Sequence, residues 1–159
     1  MEYLFNFYAL TLLISSTVVL GLSFYIGLKL EDSVRWIAYT MMSFSLWGFF
    51  YGMELTQDTI ENMLFLTKLQ YIGLALAPAC WVMFALKYTG YNNPSSNWIY
   101  PSLFILPILV YLIVLTNSWH QLHYRSNWLI TSGPFPMLGI EKGPMYFIQI
   151  VYSYLFYFL

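Results

Sequence analysis

Three ionisable residues, Glu54, Lys68 and His120, carry the clearest indication of chemistry in this sequence. Each lies near the end of a long apolar run, and alternating membrane crossings would bring all three to the same membrane face. Ionisable groups near membrane depth are costly to bury, tend to pair, and often mark a pathway or binding site. They predict a pocket that holds a ligand, or responds to pH, through carboxylate, ammonium and imidazole. The alternative is a Glu54–Lys68 ion pair that fixes two helices, with His120 reaching the membrane interface.

Both histidines of the chain, His120 and His123, occur in the stretch TNSWHQLHY. Zinc sites usually have three or four protein ligands. Glu141, Asp58 and Glu61 could complete such a set around this pair, but no spacing signature indicates one. Haem held between two histidines needs them on opposing helices, which two residues three apart cannot provide. A retinal Schiff base needs a lysine deep in a span, whereas Lys87 ends its apolar run. We therefore expect no metal and no cofactor.

Aromatic side chains accompany these groups at helical spacing. Trp47, Tyr51 and Glu54 are four and three residues apart, which places them on one face of a helix. Tyr71 and Trp81 occupy the next apolar run. Helix packing, with nearby glycines allowing close approach, explains this pattern as well as ligand binding does. No nucleophile with its base, phosphate loop or pair of carboxylates is recognisable, so no active site is expected.

The composition predicts that a lipid bilayer surrounds the chain. Of its 159 residues, 60% are hydrophobic and only 8% are charged, whereas about a quarter of the residues of a soluble domain are charged. Aromatic residues reach 21%, as expected where amphipathic rings lie among lipid headgroups. The formal net charge of -1 gives no reason to expect nucleic acid as a partner.

Four apolar stretches are long enough to cross ~30 Å of hydrocarbon, which takes ~20 helical residues. They cover residues 3–28, 36–55, 63–88 and 98–115. A longer segment, 116–143, precedes a fifth stretch that begins at Pro144 and is too short at Leu159 for a full crossing. The predicted fold is an all-α polytopic membrane bundle with four complete helices and a truncated fifth. Since the apolar runs are continuous rather than alternating, we expect no β-strands.

The orientation in the membrane follows only weakly from charge. Basic residues near the loops are balanced between the two sides, so the positive-inside rule does not decide. Glu2 without basic neighbours, and the longest loop on the same side, favour an outer N-terminus. The lack of a basic region before the first apolar run also predicts a retained helix rather than a cleaved signal peptide.

Four segments in a fixed order carry a family resemblance: LWGFFYGMEL, LTKLQYIGLALAPACWVMFALKYTGY, PILVYLIVLTNSWHQLHY and GPMYFIQIVYSYLF. Together they resemble the N-terminal seven-transmembrane sensor region of bacterial histidine kinases, which also precedes diguanylate cyclase domains. The positions that match the family's pattern are Trp47, Tyr51, Glu54, Lys68, Tyr71, Gly73, Pro78, Trp81, Tyr88, Thr116, Asn117, His120, Leu122, Gly143, Pro144 and Tyr146. The candidate sensing residues are Trp47, Tyr51, Glu54, Lys68, Tyr71, Trp81, Asn117 and His120.

The resemblance implies a sensory input region, of which residues 1–159 are a partial copy without the last two helices or any output domain. A small ligand or membrane condition would favour one packing of the bundle, and a cytoplasmic kinase or cyclase domain would respond. It implies a multi-pass protein of a bacterial or archaeal cell membrane, with its N-terminus outside, homodimeric at full length and without enzymatic activity in this chain. A piece of a transporter or channel, or a structural membrane subunit, remains the alternative.

Overall fold

A computed structural model of the chain describes residues 7–29, 32–90 and 96–158. The predicted helix start at residue 3, the argument from Glu2 and the final residue lie outside this description. The elements in chain order are α1 (Phe7–Lys29), α2 (Asp32–Glu54), α3 (Ile60–Tyr88), α4 (Ser96–Ser102), α5 (Ile105–Leu115), α6 (Asn117–His120), β1 (Tyr124–Ile130), β2 (Met137–Lys142) and α7 (Pro144–Phe158).

Three helical stretches within the described residues are long and apolar enough to cross a membrane: Phe7–Lys29, Ile60–Tyr88 and Trp98–Leu115. They correspond to the first, third and fourth predicted spans. The second predicted span forms α2, whose 23 residues extend about 34 Å, but its composition is less apolar than that of the other three. The structure therefore contains three candidate membrane-spanning stretches among its described residues, and the predicted count of four complete helices with a truncated fifth is not confirmed.

The third stretch, Trp98–Leu115, is divided into α4 and α5 at residues 103–104. Pro107 explains the position of this break. Proline has no N–H to donate, and its ring crowds the carbonyl four residues earlier, here that of Leu103. The turn is closed instead by short-range hydrogen bonds, including one of 3.1 Å from the Phe104 amide to the Pro101 carbonyl.

Glycines allow α2 to pack closely between α1 and α3. A Cβ atom on Gly73 of α3 would overlap the backbone carbonyl of Ser43 on α2, and one on Gly48 would lie 2.6 Å from the Ser16 hydroxyl oxygen on α1. Three hydroxyl groups on α2, those of Thr40, Ser43 and Ser45, donate within the helix. Thr40, for example, donates to the Trp36 carbonyl at 3.0 Å. The expected close approach at these glycines is confirmed.

Helix α3 is the centre of the bundle, since it contacts α2, α5 and α7 and also meets both strands. Pro78 lies within it and has no N–H to offer to the Leu74 carbonyl one turn earlier. At the adjacent residue, the Tyr152 hydroxyl of α7 donates to the Ala75 carbonyl at 3.0 Å. A side chain of α7 thus binds α3 beside the place where the hydrogen bonding of α3 is interrupted.

The expectation of no β-strands is wrong for the segment between α6 and α7. Strands β1 and β2 form an antiparallel hairpin, in which Trp128 is opposite Gly139 and Leu129 is opposite Leu138. The apolar spans alone do not indicate this hairpin. It consists of two strands of seven and six residues, joined by the Gly- and Pro-containing turn 131–136. A two-stranded hairpin is marginal alone. Here Tyr124 joins the buried core, and Ile140 packs against it.

Candidate functional site

Glu54, at the end of α2, faces α3 and is only 7% exposed. Its Oε2 accepts a hydrogen bond from the Thr67 hydroxyl at 3.0 Å and another from the Gln70 side-chain amide. Lys68 lies between these two donors in sequence but is not a partner of Glu54. No ion pair joins Glu54 and Lys68 in the described part of the chain, so neutral donors attach the carboxylate to α3.

His123 is the fully buried histidine of the chain. Its Nε2 lies 2.8 Å from the Tyr71 hydroxyl of α3, and its ring meets that of Tyr71 edge to face at 4.9 Å between centroids. Tyr124 and Tyr146 add further edge-to-face contacts at 5.0 and 5.6 Å. Burial, assisted by the nearby His120, lowers the pKa of His123 to about 4. This histidine is therefore neutral at pH 7 and ties the loop to α3.

Asn117 positions His123 and Tyr124 rather than facing a cavity. Its Oδ1 accepts from the backbone amides of His123 at 2.8 Å and Tyr124 at 3.1 Å. Its amide group donates to the Tyr124 carbonyl at 2.9 Å. The side chain is buried, and both its carbonyl oxygen and its NH₂ group are hydrogen-bonded to the backbone. Asn117 therefore stabilises the turn before β1.

His120 is likewise committed to local structure. Its Nδ1 accepts from the Leu122 backbone amide at 3.0 Å. Its Nε2 lies 3.1 Å from the Thr116 hydroxyl oxygen, and that hydroxyl donates its own hydrogen to the Leu112 carbonyl at 2.7 Å. The neutral imidazole therefore carries its proton on Nε2. The Thr, Asn and His of the TNxxH element together shape the turn between α5 and β1.

Tyr124, the first residue of β1, brings a second polar group toward Glu54. Burial raises the pKa of its hydroxyl, and the Glu54 carboxylate adds to this effect. The hydroxyl is buried and has no hydrogen-bond partner among the described residues. The ring belongs to a core cluster that includes Tyr71 on α3 and Val110 on α5. The hairpin is thus docked on the bundle directly above the polar end of α2 and α3.

A cavity of about 380 Å³ lies between α2, α3 and α7 next to this cluster. Its lining residues are Trp47, Tyr71, Leu74, Tyr146, Gln149, Ile150, Ser153, Tyr154 and Tyr157. Tyr71 connects the two features, since its ring lines the cavity and its hydroxyl meets His123. The cavity has the size and aromatic character of a small-molecule pocket.

The eight residues predicted from the sequence divide into three groups. Trp47 and Tyr71 line the cavity, and Tyr51 stacks on Trp47 at 6.4 Å on the same face as Glu54. Asn117 and His120 hold the turn. Lys68 and Trp81 stand apart: Trp81 packs against Phe84 of its own helix at 5.6 Å and does not line the cavity.

The largest omission from the sequence-based site is His123, together with Tyr124 and the inner face of α7. Nothing in the spacing of TNSWHQLHY separates a fully buried histidine from one at the turn. Strand alternation would not have found it either, because the consecutive residues His123 and Tyr124 are both buried. Residues 144–157 read simply as an aromatic apolar helix, since the neighbours of each face could not be assigned.

The side chains around this site do not form a recognisable metal-binding group within the described residues. The residues that the structure describes contain no group of three or more His, Cys, Asp and Glu side chains that could hold an ion. His120 already uses both ring nitrogens within the chain.

The comparison with known proteins agrees with this architecture. Residues 11–159 match the family described as the N-terminal 7TM region of histidine kinase, and this range contains every residue of the site. No curated protein and no solved structure matches the chain. The apolar helices of membrane length agree with the membrane region that this family describes. The chain belongs to the family of N-terminal seven-transmembrane regions of histidine kinases.

Proposed function

We propose that this chain detects an extracytoplasmic or membrane signal for a histidine-kinase-type receptor and passes it on as a change in packing between α3 and α7. The observation that carries the proposal is the contact between His123 Nε2 and the Tyr71 hydroxyl at 2.8 Å. It joins the loop region outside the apolar helices to the helix at the centre of the bundle. The Tyr71 ring also lines the cavity against α7.

The start of α7 is bound to the same turn as His123. The Gly143 amide donates to the His123 carbonyl at 2.8 Å, and the Met145 amide donates to the Leu122 carbonyl at 3.1 Å. A Cβ atom on Gly143 would overlap the Leu122 carbonyl, so glycine permits this close approach. A ligand or lipid that displaces the turn therefore displaces the first turn of α7 with it.

Farther along α7, the contact between Tyr152 and the Ala75 carbonyl gives the movement a second point of attachment. It lies beside Pro78, where the hydrogen bonding of α3 is interrupted and bending is least costly. A bundle with two such packings responds to any ligand that binds one of them more tightly. The signal would then reach a cytoplasmic kinase or cyclase domain in the longer receptor.

The membrane arrangement proposed with this mechanism has the N-terminus, the α2–α3 connection and the hairpin on the outer side. The two polar features of the bundle, the Glu54 cluster and the His123–Tyr71 contact, then lie toward that side. Homodimerisation of the full receptor in a bacterial or archaeal cell membrane completes the proposal, as the usual arrangement through which histidine kinases of this kind would signal.

The test uses the longer receptor, in nanodiscs, with basal autophosphorylation or cyclase activity as readout. Reading the gene past residue 159 first establishes whether further apolar spans and a kinase or cyclase sequence follow. Tyr71→Phe keeps the ring but removes the hydroxyl that meets His123. Because one hydrogen bond contributes about 0.5–1.5 kcal/mol, we expect basal output to change roughly two- to tenfold.

Tyr25→Phe provides the matched control, since Tyr25 lies on α1 and is 60% exposed. This control variant should signal like the unmodified receptor. Equal output from the Tyr71→Phe variant, the control and the unmodified receptor would contradict the proposed coupling. A stop codon directly after residue 159 in an intact gene would contradict the proposed receptor.

A further inference from the structure

The cavity between α2, α3 and α7 is unusually aromatic and contains no charged side chain. Five of its nine lining residues are Trp or Tyr, whereas aromatic residues make up 21% of the chain. The remaining lining residues are aliphatic or neutral polar. Aromatic rings present a negative face, and a cation within about 6 Å of the ring centroid is attracted to it, most strongly where water is excluded.

We propose that this cavity binds a small organic cation of the quaternary ammonium class. The proposal rests on the sensory function above, for which it names the chemical class of the ligand. An ammonium group shielded by methyl groups suits an aromatic cavity in a membrane, because it brings positive charge without hydrogen-bond donors that would need partners. Trp47, Tyr71, Tyr154 and Tyr157 are the rings assigned to it.

The chain itself shows that its tyrosine rings attract ammonium groups. Lys29, Lys87 and Lys142 each place their Nζ over a tyrosine ring, at 5.2, 4.5 and 5.0 Å from the centroid. The ring under Lys142 is that of Tyr146, at the edge of the cavity. Because that ring already has a cation, it is left out of the proposed binding set.

Charge near the cavity also favours a cation. Glu54 lies seven residues beyond Trp47 on the same face of α2, about 10 Å farther along the helix. Its hydrogen-bond partners, Thr67 and Gln70, are neutral, and no ion pair neutralises it within the described residues. The buried carboxylate therefore contributes a negative potential at this end of the cavity without lining it.

The polar residues of the lining indicate what else the ligand carries. Gln149 is 4% exposed, and its Oε1 is buried with no hydrogen-bond partner among the residues described. Buried amide oxygens normally have a partner. A hydroxyl group on the ligand next to Gln149 would supply one, and Ser153 lies one turn farther along α7. Choline, which combines a trimethylammonium group with a hydroxyl, is therefore a suitable probe.

The experiment is isothermal titration of the chain in phosphatidylglycerol nanodiscs, which contain no choline headgroup. Choline is compared with 3,3-dimethylbutan-1-ol, which has the same shape but a neutral carbon in place of the nitrogen. We expect choline to bind at least about tenfold more tightly, as two ring contacts of a desolvated cation would produce. Equal affinity for both, or no binding of choline, would overturn the proposal.

Variants of Tyr154 test the rings without endangering the fold, because this residue is 62% exposed. Tyr154→Phe keeps the ring face and should retain choline affinity. Tyr154→Leu removes the ring and should weaken binding about fivefold. Tyr25→Leu, on the far helix α1, is the control and should bind like the unmodified chain. Equal affinity in the Phe and Leu variants would remove Tyr154 from the site and contradict the assigned cage.

A second titration, with one fifth of the lipid replaced by phosphatidylcholine, distinguishes two sources of the same chemistry. Competition with choline would identify a lipid headgroup as the occupant, and unchanged choline affinity would identify a free cation. The choline titrations and the output assay of the Tyr71→Phe receptor test the ligand class and the sensory function separately. Absence of choline binding together with altered output in the Tyr71→Phe receptor would refute the ligand class and leave the sensor intact.

Discussion

Replacing Asn117 by alanine gives the sharpest test of how the outer turn is held. The side chain makes three hydrogen bonds with the backbone of two residues, His123 and Tyr124, and is buried. Alanine removes all three at once and leaves the two amides and the carbonyl without their partner. Helix α5 and the strands keep their own backbone hydrogen bonds, so the loss is confined to the turn.

The size of the effect follows from counting these bonds. Each contributes about 1 kcal/mol net, so the free energy that keeps the turn closed should fall by about 3 kcal/mol. At about 1.4 kcal/mol for each factor of ten, the turn should open on the order of one hundred times more often. Water can reach the exposed edge of this loop and replace part of the loss, so tenfold is the smallest change consistent with the contacts.

Hydrogen exchange followed by mass spectrometry on the chain in nanodiscs measures this opening directly, since local opening exposes the amides of His123 and Tyr124. Asn127→Ala is the matched control, because Asn127 lies on β1 with its side chain exposed. The Asn117→Ala variant should exchange these two amides about a hundredfold faster and the control should not. Unchanged protection, or an equal rise in both variants, would show that Asn117 does not hold the turn.

Three further changes test other parts of the structure. Burial lowers the pKa of His123 to about 4, below the ~6.5 of an exposed histidine. The stability that the neutral His123 contributes is therefore present above pH 6.5 and lost as the pH falls toward 4. In urea unfolding, the free energy of unfolding should fall by up to about 1.4 kcal/mol per pH unit in this range, and this fall should be absent in His123→Gln. Gly73→Ala pushes a Cβ atom into the α2 backbone and should cost about 1–3 kcal/mol, whereas Gly21→Ala, with open space around it, should be neutral or slightly stabilising in thermal unfolding. Tyr152→Phe removes the 3.0 Å hydrogen bond to Ala75 and should cost about 1 kcal/mol in the same assay.

Equal destabilisation by Gly21→Ala and Gly73→Ala would contradict the packing argument at Gly73, and the other two changes have controls of their own. His120→Gln leaves His123 in place and should keep the pH-dependent loss of stability; a flat profile in this variant would assign the effect to His120 instead. Tyr154→Phe removes a hydroxyl from the exposed side of α7 and should leave stability unchanged. Equal destabilisation by Tyr152→Phe and Tyr154→Phe would show that the contact with Ala75 is not the cause.

The membrane helices could be predicted from the sequence because long apolar runs have few alternatives in a bilayer. Residues 63–88 and 98–115 were placed within three residues of the ends of the observed stretches, Ile60–Tyr88 and Trp98–Leu115. Helix α2 was also predicted, but it is less apolar than the three stretches of membrane-spanning hydropathy. The hairpin was missed because its strands are only seven and six residues long. Its stability comes from docking Tyr124 into the core rather than from the pattern of its own residues.

The candidate site was harder to predict, since its members meet only through tertiary structure. Trp47 and Glu54 were correctly grouped on one helical face by their spacing. His120 was chosen over His123 from the family pattern, whereas burial of His123 depends on whether the turn after α5 points a side chain inward. Likewise, the partner expected for Glu54 was the charged Lys68, whereas adjacent neutral residues, Thr67 and Gln70, face it on α3.

The modest hydropathy of α2 has a consequence for how the protein enters the membrane. A helix that is weakly apolar is held poorly by lipid alone, whereas the same helix is well accommodated between α1 and α3, where Gly73 and Gly48 allow the backbones to meet. Insertion of α2 therefore depends on its neighbours arriving with it. During synthesis, α1 to α3 would leave the translocon as one cooperative unit, and an obstacle to the contact at Gly73 would first appear as a defect of biogenesis.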